Sequence, residues 1–157
     1  MTPEDSARLG GLLLGQRLVA LGVVAEGAPV VGLLPYAVSP DHASLIVQSS
    51  SLARHSKGLA AGAAWSGVIH EPDSVDTDPL QVPRLQLEGV VDPLRGDRPE
   101  FPPLARAFLA RFPQAATTLQ LPDFTLHRLE IRSGRMVLGF GRALNLAGDH
   151  FRGLPTA

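Results

Sequence analysis

Apolar residues recur at helical spacing only in short stretches of this chain. Elsewhere they alternate with polar residues or form brief Val- and Leu-rich runs, which is the pattern of strands. Thr2 followed by Pro3, Glu4 and Asp5 gives a capping hydroxyl, a first-turn proline and dipole-favoured carboxylates, and predicts a short helix through about Leu14. Arg17 to Ala25 and Pro29 to Val38 flank the turn-like Glu26-Gly27-Ala28 and predict a hairpin. After a second turn at Ser39-Pro40-Asp41-His42, Ala43 to Gln48 adds a third strand. Leu52 to Leu59, entered through Ser49, Ser50 and Ser51, reads as a helix of about two turns.

Ala63 to Ile69 predicts a strand, and Glu71 to Pro79 a polar loop. Leu85 and Leu87 alternate with Gln86 and Glu88, so Leu80 to Val91 reads as a strand buried on one face, followed by a loop over Pro93 to Pro103. Leu104, Phe108, Leu109 and Phe112 share a helical face, and that helix ends before Pro113. Phe124 to Arg132 and Met136 to Leu144 read as two strands joined at Ser133-Gly134-Arg135. Phe124 and Leu126 lie in one phase and Leu129 and Ile131 in the other, which predicts a bulge near His127-Arg128. Few helices and hairpin-length connections imply a mainly β fold, an antiparallel barrel with a few short helices rather than a doubly wound sheet.

The 157 residues suit one domain over 1–157, with about 145–157 expected as a flexible tail. A content of 45% hydrophobic and 18% charged residues supports a packed core and excludes a disordered chain. The net charge of -1 supplies no general attraction to nucleic acid or to an anionic membrane, and 5% aromatics argues against a base-stacking surface. Glu26, Pro29 and Pro35 interrupt the longest apolar stretch, Leu18 to Val38, so no membrane span is predicted. The acidic N-terminus carries no targeting pattern, and a cytoplasmic location is expected. Absence of cysteine removes disulfides, thiolate metal sites and cysteine nucleophiles together.

Ser49 to Lys57 carries the most chemistry. Strand, hydroxyl cluster and helix start follow one another, and Arg54 and Lys57 share a face where backbone N–H groups attract anions. Such a segment either holds a phosphate or is an ordinary capped surface helix with solvated cations.

Five segments resemble the pyridoxamine 5'-phosphate oxidase-like flavin-binding family, and in particular its haem-utilisation branch. They are Gly27 to Val38, Ser51 to Leu59, Pro83 to Gly89, Pro122-Asp123-Phe124 with Arg128-Leu129, and Gly139 to Ala143. The resemblance implies an antiparallel split β-barrel that forms a homodimer, with FMN in clefts between the subunits. By position, Leu33, Leu34 and Pro35 would lie along the flavin ring, with Gln48, Ser49 and Ser51 nearby. Arg54, His55 and Lys57 would surround the phosphate, and Arg84 would lie near the cofactor. An FMN-dependent oxidoreductase using NAD(P)H is the first functional expectation. Gly32 stands where the oxidases carry an arginine, and the C-terminus lacks their basic substrate-binding segment, so pyridoxamine phosphate is not the expected substrate.

The alternatives are a haem-binding or haem-degrading protein on the same barrel and a cofactor-free dimeric scaffold. The resemblance makes His150, in the C-terminal segment, the haem ligand under the first of these. His42 and His70 read as solvated surface residues, and His127 as a packed or edge residue. No pair of histidines has metal-site spacing, and Asp73, Asp76 and Asp78 lack the pattern of a calcium loop.

Overall fold

A computed structural model of the protein describes residues 1–154. Helix α1 (Pro3–Gly15) starts as its sequence implies. Thr2 Oγ1 accepts from the Asp5 backbone N–H at 3.1 Å while the Asp5 carboxylate accepts from the Thr2 backbone N at 3.0 Å, so the cap is reciprocal. The helix buries Leu9, Leu12 and Leu13 against the sheet, and Tyr36 Oη donates to the Leu13 carbonyl at 2.7 Å, tying its last turn down.

Seven strands follow: β1 (Leu18–Ala25), β2 (Ala28–Val38), β3 (Ser44–Ser50), β4 (Ala64–His70), β5 (Arg84–Leu94), β6 (Phe124–Val137) and β7 (Ala143–Ala147). All pairings are antiparallel, in the order β3-β2-β1-β4-β5-β6-β7, and β3 also pairs with β6. Strands β1 to β6 therefore close into a barrel with β7 as an extra strand, the mainly β architecture expected from the sequence. The β1–β2 hairpin turns on Glu26 and Gly27, with φ of 54° and 77°, the pair of left-handed residues a tight hairpin turn requires. Helix α2 (Phe101–Arg111) and the short α3 (Ala115–Thr118) cover the outside of the barrel.

Several expectations need correction. The closing segment is one strand, β6, over Phe124–Val137, not two strands joined at Ser133-Gly134-Arg135. Gly134 is there for close approach: a Cβ would lie 2.7 Å from the Gln86 carbonyl oxygen and 3.1 Å from Phe151 Cζ. The turn comes later, where Gly139 and Gly141 have φ of 132° and 74°. The phase change along β6 is not a bulge at His127-Arg128. Leu126 faces an outer cluster with Ile46, Leu104 and Phe108, whereas Leu129 and Ile131 face the barrel core, so both sides of the strand are covered. The irregularity lies further on, where Glu88 opposes Ser133 but Gly89 opposes Ile131, leaving Arg132 extra. There β6 exchanges β3, paired as far as Glu130, for β7, paired from Ser133.

The two-turn helix expected over Leu52 to Leu59 is a five-residue 3-10 helix, Arg54–Gly58. Its approach is fixed by the Ser51 N–H donating to the Asp123 carbonyl at 2.7 Å and by Gly58, where a Cβ would come within 2.7 Å of Val23 Cγ2. The loose tail expected from about residue 145 does not hold over residues 145–154. Strand β7 pairs with β6, Phe151 is fully buried, and Leu154 joins the core. Residues 155–157 of that tail lie outside the described residues. Among the described residues, no helix is long and apolar enough to cross a membrane.

Candidate functional site

Two regions carry polar or ligand-like character, on opposite faces of the β2 end of the sheet. The first is inside. Ser49 ends β3 on its buried side, beside His127 of β6, and the 3-10 helix folds His55 and Ser56 over them. Ser49 Oγ lies 3.1 Å from His55 Nε2 and also contacts Ser56 Oγ, which donates to the Ser50 carbonyl. Ser56 donates to the Ser50 carbonyl, and Ser49, which also approaches that carbonyl, links Ser56 to the His55 ring.

The other edge of the His55 ring rests on Gly32, where a Cβ would stand 2.6 Å from His55 Nδ1. Burial holds the His55 imidazole below the usual histidine range. Burial also lowers His127 to about 4, with repulsion from His55 adding to the effect, and His127 Nδ1 has no hydrogen-bond partner. A cavity of about 180 Å³ opens beside Ser49, Ser51, Thr125 and His127.

The second region is the outer face of β2, β1, β4 and β5. Leu18, Val24, Val31 and Leu33 are exposed there, Val31 at 73% and Leu33 at 68%, and the register sets Ala20 between Leu33 and Val68. Scattered apolar residues are normal on a protein surface, but a contiguous sheet face of this kind marks an interaction site. Open clefts lie along it, two of them at its ends. One of about 680 Å³ includes Val24, Val31, Ser66, Glu88 and Arg132. The other, about 390 Å³, is lined by Arg17, Leu18, Leu33, Val68, His70 and Pro72.

These two regions divide the residues singled out from the sequence. Ser49 and His55 meet in the inner cluster, with Ser51 and Lys57 at its rim and Arg54 exposed on the 3-10 helix. Leu33 lies on the outer face, and Arg84 pairs across strands with His70 at one end of it. Pro35 opposes Leu18, Leu34 is buried in the core, and Gln48 donates to Thr118 Oγ1 of α3 at 2.8 Å. Within one chain they form no single pocket. Ser56 belongs to the inner cluster without having been singled out, and alternation would have placed it nowhere because it lies on a helical turn. His70 is legible: Trp65, Gly67 and Ile69 point inward, so Val68 and His70 must point outward.

As placed, the inner residues do not fit a flavin phosphate. Lys57 Nζ is bound to Glu26 Oε1 at 2.8 Å, and His55 is turned onto Ser49. Ser50 Oγ donates to Asp123 Oδ2 at 2.8 Å, which sets a carboxylate beside the serine cluster where an anion would have to bind. The five-residue 3-10 helix also offers no extended row of free N–H groups.

No family model matches the chain. A Vibrio cholerae protein, "Heme oxygenase HutZ", is 27% identical over 128 residues, covering 81% of this chain and 72% of that protein. The solved structure of a heme binding protein from Mycobacterium smegmatis superposes with a TM-score of 0.81 at 25% identity over 96% of this chain. This chain spans 60% of that one. A Clostridium acetobutylicum protein of the pyridoxinephosphate oxidase family, related to general stress protein 26, shares the fold alone, with a TM-score of 0.68 at 12% identity. The resemblance read from the sequence is thereby borne out, while the flavin reading gains no support and the haem alternative fits better.

Proposed function

We propose, from the premise that this chain is a pyridoxamine 5'-phosphate oxidase-like split barrel of the haem-utilisation branch, that it binds haem on its outer sheet face. The carrying observation is the composition of that face. Leu18, Leu33 and Val68 offer an apolar surface lined at one end by Arg17, whose guanidinium lies over the Phe112 ring, and Arg84, across the ladder from His70, donates to the Leu80 and Val82 carbonyls and has no carboxylate partner among the described residues. A porphyrin needs an apolar plane for its ring and cations for its two propionates, and a planar guanidinium suits a carboxylate. Bound haem would supply the iron chemistry, and this chain would supply its orientation and exclusion of water.

The same face supports the homodimer reading, since a second copy would cover the apolar surface that one barrel leaves open. A heme oxygenase as relative makes haem degradation the activity to look for once binding is established.

Titration of purified protein with haemin, followed in the Soret region, tests the proposal. The expected result is a saturating band at one haem per chain, with no retention of added FMN after gel filtration. Stoichiometric FMN retention with only non-saturating haemin association would overturn it.

A further inference from the structure

We propose that the 3-10 helix Arg54–Gly58 is a proton-operated latch on the inner cavity: a neutral His55 holds it shut, and a charge on the imidazole releases it. Nothing in the latch involves the outer face or its cofactor.

The lock is a ring fitted into the place of a missing side chain. Val30, Gly32, Leu34 and Tyr36 form the inward phase of β2, and only Gly32 leaves a gap in it. The His55 ring fills that gap, since a Cβ on Gly32 would lie 2.6 Å from its Nδ1 and 3.0 Å from its Cγ. On its far side, His55 Nε2 lies 3.1 Å from Ser49 Oγ of β3. One imidazole from outside both strands therefore bridges them.

Little else holds the segment. Leu52 is 86% exposed, and Arg54 and Lys57 also face solvent. The Ser56 hydroxyl donates to the Ser50 carbonyl, and the ion pair between Lys57 and Glu26 is exposed on both sides, where such pairs add little. Burial resumes at Gly58 and Leu59, and before the segment the Ser51 N–H is fixed on the Asp123 carbonyl. Residues 52–57 are thus a short span anchored at each end, whose middle is held by His55 and Ser56.

A charge on the His55 ring meets no counter-ion. On its own element the ionisable neighbours are Arg54 and Lys57, both cationic. Strands β1 and β3 carry no ionisable side chain, and the one on β2, Tyr36, is spent on the Leu13 carbonyl. Strand β6 presents His127, 8% exposed with a partnerless Nδ1, while its next residue, Arg128, is held by Asp92. The two carboxylates that reach this region are committed, Glu26 to Lys57 and Asp123 to the Ser50 hydroxyl. Burial holds His55 below its ordinary value of 6.5 and His127 at about 4, so the closed form refuses protons that the open form takes up. Opening is therefore favoured as pH falls below about 6.5, by up to about tenfold per pH unit for each histidine that regains its ordinary value. Release withdraws Ser56 and Lys57 from the wall of the cavity of about 180 Å³ and opens Ser49, Thr125 and His127 to solvent.

Amide hydrogen exchange at about pH 7.5 and about pH 5, expressed as protection factors, tests the latch. The N–H groups of Ala53 and Ser56, bonded in the closed segment, should lose at least about tenfold in protection at the lower pH, while those of strand β1 keep theirs. His55→Phe fills the same gap with a ring that cannot ionise and should reduce this loss, and His127→Leu added to it should abolish the loss. Gly32→Ala, which evicts the ring, should leave the segment unprotected at both pH values. Undiminished protection of the wild-type segment in acid would overturn the proposal, as would an equal loss across β1, which marks global unfolding. A wild-type loss carried unchanged into the double variant would overturn it too. The wild-type comparison decides the matter even where a variant does not fold.

Discussion

At the scale of single residues, the inner cluster has a measurable consequence. His127 is 8% exposed, is lowered to about 4 from an ordinary value of 6.5, and has a partnerless Nδ1. Between those two values the unfolded chain binds a proton at this site that the native chain refuses. Stability therefore rises with pH in that window and is lost as pH falls through it. From about pH 7.5 to about pH 5, His127 should cost about 2 kcal/mol of unfolding free energy. Urea unfolding at both pH values should show a shallower loss for His127→Leu than for wild type, with His55 keeping part of the slope. Equal slopes would mean that His127 titrates normally. Its alternation with Leu129 and Ile131 made a packed position readable in the sequence. Its nearness to His55 was not, because the two are joined only through the fold of the 3-10 helix.

At the scale of elements, the critical point is where β6 changes partners. Gly89 sits opposite Ile131 at the register shift, and a Cβ there would lie 1.7 Å from the Glu130 carbonyl oxygen and 3.0 Å from Trp65 Nε1. Backbone, not a flexible side-chain tip, blocks it. Gly89→Ala should destabilise the fold by about 3 kcal/mol or more, since neither strand can retreat without breaking the ladder. Gly96→Ala, where a Cβ meets nothing within 4 Å, should melt within a degree or two of wild type in the same calorimetric experiment. Comparable losses for both would show that the close approach at Gly89 is relieved by small shifts. The helix start at Thr2 and the first hairpin were legible because capping and turn chemistry act over a few residues. The continuity of β6 was not, because Gly134 looks like a turn residue until β5 and Phe151 are seen against it.

At the scale of the whole molecule, the outer face predicts assembly. Sedimentation equilibrium at micromolar concentration should report a dimer, and Val31→Asp, a charge placed at the centre of the exposed patch, should yield monomer with an unchanged far-ultraviolet spectrum. A wild-type monomer would overturn the homodimer reading. The sequence was enough for the class of fold and for most strands, since period-two alternation and tight turns are local properties of the chain. Resemblance across five segments added the split barrel and the pair of cofactors to choose between. What only the tertiary structure decided is the state of individual groups. Whether Lys57 is free or bound to Glu26, and whether Gln48 faces a cofactor or is held by Thr118, depends on groups the chain brings together only by folding. Hydrogen-bond direction and charge pairing are set by distances of a few ångströms between atoms, and spacing along the sequence does not encode them.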